Sequence, residues 1–102
     1  MNESEYENLR QQLQVDMTQK QTFQLQYNEV KRTLDEVAKS SESDQIYEMV
    51  GQVLIKKGKM DIEAAMKEKL EILEFRLKKV SKSVEETTKH LQEAQKELEK
   101  DK

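Results

Sequence analysis

Apolar residues recur along the first third of the chain at Tyr6, Leu9, Leu13, Phe23, Tyr27, Val30, Leu34 and Val37. Along the last third they fall at Met66, Leu70, Leu73, Leu77, Val80, Val84, Leu91, Ala94 and Leu98. Both ladders step by threes and fours, the repeat of a coiled-coil seam. Pairing positions whose numbers sum to 100 sets Leu34 beside Met66, Val30 beside Leu70, Tyr27 beside Leu73 and Phe23 beside Leu77. The rule continues through Leu9 with Leu91 and Tyr6 with Ala94. Every rung is then an a–d pair, as antiparallel helices require. The pattern predicts a mainly α chain, a long antiparallel two-helix coiled-coil hairpin forming a single domain over 1–102. Its helices are expected over about 3–39 and about 61–100.

Between the ladders the pattern changes. Ser40, Ser41, Glu42, Ser43 and Asp44 form a polar break whose side chains compete with helical hydrogen bonds. Gln45-Ile46-Tyr47-Glu48-Met49-Val50 and Val53-Leu54-Ile55-Lys56 are rich in β-branched and aromatic residues and flank Gly51-Gln52. They predict a small β-hairpin over about 45–57 joining the helices. Asp61 is the expected N-cap of the second helix. Glu63–Lys67, Glu74–Lys78 and Glu85–Lys89 have the favourable acid-before-base i,i+4 order for a solvated face.

Two places along this plan leave alternatives open. Further out along the seam, Asp16 faces Val84, Lys20 faces Val80 and Leu13 faces Thr87. This is either a polar layer that fixes register or a loose outer arm whose helices separate, and Asp16 and Lys20 are spaced to pair along their own helix. In the hairpin, adjacent apolar residues put greasy side chains on both faces, so it wants cover on both. An isolated two-stranded hairpin is marginal in water, and its edges invite pairing with other strands. The expected outcome is an obligate oligomer in which hairpins close an inter-subunit β-barrel platform; the alternative is that the hairpin folds back on the base of the coil.

Composition narrows the function. Charged residues make up 38% of the chain and apolar ones 34%, which suits a narrow seam rather than a thick globular core. There is no proline to interrupt a helix and no cysteine for disulfide or thiolate chemistry, which fits a cytoplasmic protein. No N-terminal apolar run suggests a signal peptide, and no run is long enough to span a bilayer. Acidic residues outnumber basic ones by 21 to 18, which argues against nucleic acid and anionic membrane as partners. His90 is the single histidine, and Gly51 and Gly58 are the only glycines, so neither a metal cluster nor a phosphate-cradling loop is expected. The chain reads as a non-enzyme, with no catalytic residue and no cofactor.

The central block Gln45-Ile46-Tyr47-x-x-Val50-Gly51-x-Val53-Leu54-Ile55-Lys56, followed by Leu70-Glu71-x-Leu73-Glu74-x-Arg76-Leu77, resembles the β-class subunits of prefoldin, most of all the archaeal ones. Asn28-Glu29-x-Lys31 also fits, and the resemblance covers roughly residues 22 to 98. Gln52 departs from it, standing where some eukaryotic relatives carry proline. The resemblance implies a hexamer of two α-class and four β-class subunits, with a double β-barrel platform and six coiled-coil tentacles. It implies a cytoplasmic, ATP-independent holdase whose tips capture unfolded polypeptides and deliver them to a group II chaperonin. Carried over by position, Ile46, Tyr47, Met49, Val50, Gly51, Val53, Leu54 and Ile55 are the assembly set. Tyr6, Leu9, Leu13, Leu91, Ala94 and Leu98 are the client-binding set, joined by Val15 and Met17, which lie off the seam near the tip. Seam packing competes with client contact for the first six. A structural tether or spacer without client binding is the competing function; it would use the same heptads but leaves the two-sided apolar hairpin unexplained.

Overall fold

Asn2 opens the first helix, α1 (Glu3–Lys39). Its Oδ1 accepts from the backbone N–H of Glu5 at 2.8 Å, and its amide donates back to Glu5 Oε1 at 3.4 Å. This reciprocal pair satisfies a donor that the first helical turn leaves without a partner, and Glu3 and Glu5 suit the positive end of the helix dipole. At the other end, Ser40 Oγ donates to the Val37 carbonyl at 2.6 Å. Lys59 Nζ donates to the carbonyls of Ser40, at 2.6 Å, and Ala38, at 3.3 Å. A lysine from the start of the second helix thus caps the negative end of the first. The computed structural model describes residues 2–41 and 43–100, so Glu42 of the polar break lies outside the described residues. Within that break, Asp44 Oδ2 accepts from the Ser41 N–H at 2.6 Å while the Asp44 N–H donates to the Ser41 carbonyl at 3.0 Å. The serine–aspartate chemistry makes the turn.

Strands β1 (Ile46–Val50) and β2 (Val53–Lys57) pair antiparallel, from Ile46 opposite Lys57 to Val50 opposite Val53. Gly51 has φ 62°, and no non-glycine residue among those described has positive φ. A two-residue loop with positive φ only at its first position is the type II′ turn, whose twist matches the strands it joins.

Helix α2 (Lys59–Lys100) starts two residues ahead of the sequence boundary. The Gly58 carbonyl accepts from the Ile62 N–H at 3.1 Å, so Gly58, rather than Asp61, holds the cap position. Asp61 instead lies in the first helical turn, where its charge meets the dipole. The helix starts early because Lys59 is anchored on the end of α1, which brings its own backbone into the first turn.

The chain divides into two compact units, Met1–Gln24 with Phe75–Lys102 and Leu25–Glu74. In the second, Tyr27, Val30, Leu34 and Val37 of α1 are half-buried, and Met66 and Leu70 of α2 likewise, with Ile62 and Leu73 buried. The α2 ladder therefore begins one rung before Met66, at Ile62. Tyr27 Oη donates to Glu74 Oε1 at 3.2 Å, and this bond to a carboxylate holds the phenol above its ordinary pKa. In the first unit Tyr6, Leu9, Leu13 and Phe23 are half-buried, as are Leu77, Val84, Leu91 and Leu98, while Val80 and Ala94 are buried. Cross-helix contacts there pair Phe23 with Arg76, whose guanidinium carbon sits 5.9 Å from the ring centroid, and Asp16 with Ser83. These pairs, like Tyr27 with Glu74, lie one position from the sum-to-100 rungs, and their direction makes the helices antiparallel.

The surface charges correct the sequence reading. Among the described residues none of the three expected i,i+4 pairs closes: Glu63 lies 3.9 Å from Lys59 instead, and Glu74 accepts from Tyr27. Cross-helix and capping bonds compete successfully with exposed pairs that are worth only a few tenths of a kcal/mol.

Candidate functional surfaces

Strand pairing sorts the hairpin side chains by face, because residues directly opposite share one. One face carries Ile46, Glu48, Val50, Val53, Ile55 and Lys57. The other carries Tyr47, Met49, Leu54 and Lys56. Ile46 and Glu48 are half-buried, and every residue of β2 is exposed. Met49 is 70% exposed and Leu54 61% on one face, Val53 60% on the other. Both faces carry exposed apolar side chains, as expected, alongside Glu48 and Lys57 on one and Lys56 on the other; the folded-back alternative would bury one face, whereas only Ile46 and Glu48 are even half-buried. Gly51 has no heavy atom within 4 Å of where a Cβ would stand, so glycine is needed there for its backbone angle alone. All eight assembly residues lie in the unit Leu25–Glu74.

The eight client-binding residues all lie in the other unit, and they separate into three groups. Tyr6, Leu13, Met17 and Leu91 come together around one open groove of about 420 Å³, edged by Glu7, Arg10, Gln11 and Gln14. Val15 faces a second groove with Thr18, Thr22 and Phe23. Leu9, Ala94 and Leu98 pack in the seam, and Ala94 is only 3% exposed. Ala94 is thus the least accessible of the set. The heptad pattern could not separate these groups, because it records which stripe a residue occupies and not how fully the opposing side chain covers it.

The polar stretch resolves into a built layer. Asp16 is 6% exposed; its Oδ1 accepts from Gln12 Nε2 at 2.9 Å and its Oδ2 from Ser83 Oγ at 2.7 Å. Lys20, expected in the seam, is exposed, and Asp16 takes its partners from Gln12 and Ser83. Ser83 was missed in the sequence because it flanks Val84 by one position, where a small hydroxyl reads as a solvated flank. Beside this layer a cleft of about 340 Å³ is lined by Asp16, Gln19, Phe23, Arg76, Lys79, Val80 and Ser83. The seam is therefore hydrogen-bonded where it stops being apolar.

His90 is exposed, and among the described residues no three of His, Cys, Asp and Glu converge as metal ligands. Among the described residues, no helix is long and apolar enough to cross a membrane.

A sequence profile described as prefoldin subunit matches residues 2–101. The prefoldin subunit beta of Thermococcus onnurineus (strain NA1) is 38% identical over 95 residues, covering 86% of this chain and 82% of the relative. That of Thermococcus kodakarensis is 37% identical over 95 residues, covering 86% and 81%. The crystal structure of the prefoldin beta subunit from Thermococcus strain KS-1 superposes with TM-score 0.88 at 32% identity, over 95% of this chain and 85% of that one. The prefoldin beta2 subunit of the same strain, at 17% identity and TM-score 0.79, shares the fold.

Proposed function

Because the chain belongs to the prefoldin subunit family, we propose that it is an ATP-independent holdase subunit, capturing unfolded polypeptides and passing them to a group II chaperonin. It does so as one of four β-class copies joined to two α-class subunits, in the cytoplasm. The observation that carries this reading is the presence of two exposed apolar surfaces of different build, one in each unit. A five-residue strand pair with open edges and greasy faces is an assembly element, since unpaired strand edges and uncovered apolar faces are both relieved by neighbouring strands. A groove of tyrosine, leucine and methionine with a polar rim is a surface for irregular apolar segments, because methionine adapts to partners of varied shape. Several copies on one platform turn weak contacts into strong capture by raising effective concentration. No nucleotide is needed for passive binding of this kind.

The test is light scattering of a chemically denatured protein diluted into the complex assembled with an α-class subunit. Suppressed aggregation is expected without nucleotide, weakened when Leu13 and Leu91 are replaced by serine. Unchanged suppression in that variant would favour a spacer role for the chain.

A further inference from the structure

Resting on the reading that the chain captures unfolded polypeptides, we infer that the unit Met1–Gln24 with Phe75–Lys102 carries a second client contact. It lies at the cleft of Phe23, Arg76, Lys79 and Val80, and it selects segments in which a carboxylate stands beside an apolar side chain. The chain has a net charge of −3, yet residues 75–84 hold Arg76, Lys78, Lys79 and Lys82 with no carboxylate. Residues 17–24 of the same unit add Lys20, again with no carboxylate. All five cations are exposed, and among the described residues no carboxylate pairs with any of them. Lys78 and Lys79 stand four and three positions before Lys82, spacings at which like charges repel and weaken a helix. The belt thus costs α2 stability and gains no ion pair within the chain.

Arg76 and Lys79 edge the cleft of about 340 Å³ beside Phe23 and Val80. The Arg76 guanidinium, 5.9 Å from the Phe23 ring centroid, is oriented by that ring without being neutralised. Asp16, the one acidic residue lining the cleft, is enclosed, and its two oxygens are taken by Gln12 and Ser83. Phe23 also lines the neighbouring groove with Val15 and Thr22, so apolar carbon continues alongside the cations. A concave surface of one sign concentrates anions, and its apolar wall decides which anion fits. A phosphate backbone or an anionic membrane extends its charge far beyond this belt, which covers about 9 Å of α2 from Arg76 to Lys82. Glu74 precedes the belt and Glu85 and Glu86 follow it, so a longer anion meets repulsion at both ends. Neither kind of phosphate covers Phe23 and Val15. A short unfolded segment with Glu or Asp next to Leu or Phe satisfies both halves of the site. The groove of Tyr6, Leu13, Met17 and Leu91 has no such bias, because the rim charges Glu7 and Arg10 pair with each other at 3.5 Å. Clients bearing acidic–apolar segments are then held at two points, which raises their avidity.

Fluorescence anisotropy on the complex assembled with an α-class subunit tests this with two labelled peptides of one unfolded sequence. One carries glutamate beside each leucine, the other glutamine. The glutamate peptide should bind about tenfold more tightly, which is about 1.4 kcal/mol, and its advantage should shrink as salt is added. Arg76→Gln with Lys79→Gln should remove the advantage and leave the glutamine peptide unchanged. Lys79→Glu keeps Arg76 on the Phe23 ring and should remove it too, with helical content intact by circular dichroism. Leu13→Ser with Leu91→Ser should weaken both peptides alike. Equal binding of the two peptides, or a glutamate preference that survives both belt variants, overturns the second contact and leaves capture at the tip groove standing. Failure of both peptides to bind, together with unsuppressed aggregation of a denatured protein, removes the capture reading itself. Tighter binding of a single-stranded oligonucleotide or of phosphatidylserine vesicles than of the glutamate peptide, lost in the belt variants, assigns the belt to phosphates and overturns the inference.

Discussion

At the scale of single residues, the molecule is most sharply specified where a polar group enters the seam. Asp16 replaces an apolar rung and forgoes burial worth roughly 1.5–3 kcal/mol, yet it is enclosed and satisfied by Gln12 and Ser83. Such a layer allows one axial alignment of the helices, since any slip leaves a buried carboxylate short of donors. Ser83→Ala should therefore destabilise the chain by about 1–3 kcal/mol in urea unfolding. Asp16→Leu combined with Ser83→Ala should be close to neutral, because both members of the pair are then apolar. If the single and double variants unfold alike, the layer carries no coupling. Asp16 was visible in the sequence as an interruption of the heptads; its donor was not, because a serine one position off the ladder carries no periodic signal.

At the scale of elements, local chemistry placed the helices and strands and tertiary contacts moved their ends. The capping pair of Asn2 and Glu5 and the Gly51 turn act within a few residues, so periodicity and turn composition place both elements closely. The start of α2 depends instead on Lys59 reaching carbonyls some twenty positions upstream, which no local rule contains. The hairpin makes a clear prediction. Gly51→Val introduces a branched side chain at φ 62° with ample room around it, so its effect is purely on the backbone. A cost of about 1–2 kcal/mol is enough to unpair a two-stranded hairpin that is marginal by itself. Amide hydrogen exchange in β1 and β2 should rise and oligomers should be lost, while exchange in the seam of either unit is unchanged.

At the scale of the whole molecule, assembly and capture are assigned to side chains of different units, so they should fail independently. Replacing Val53 and Ile55 by lysine should abolish the oligomer while leaving helical content, read by circular dichroism, intact. Replacing Leu13 and Leu91 by serine should leave the oligomer and diminish suppression of aggregation. Parallel loss of both properties in either variant would contradict this division. The low apolar content is consistent with such a design, since a two-helix seam buries little and leaves its charged flanks to keep exposed grooves soluble.

The sequence alone determined the antiparallel pairing and its alignment to within one position, because stripes of period 3.5 on two helices match apolar rungs on either side of the polar stretch in one register. It also determined the two-sided hairpin, because alternation along a strand assigns faces without reference to anything else. Only the tertiary structure decided which apolar residues near the tip stay accessible, enclosing Ala94 while leaving Tyr6, Leu13, Met17 and Leu91 around an open groove. Accessibility depends on the size and angle of the facing side chain, and that is a property of two helices together. The same holds for the bond from Ser83 to Asp16, which exists because packing brings two residues 67 positions apart to 2.7 Å.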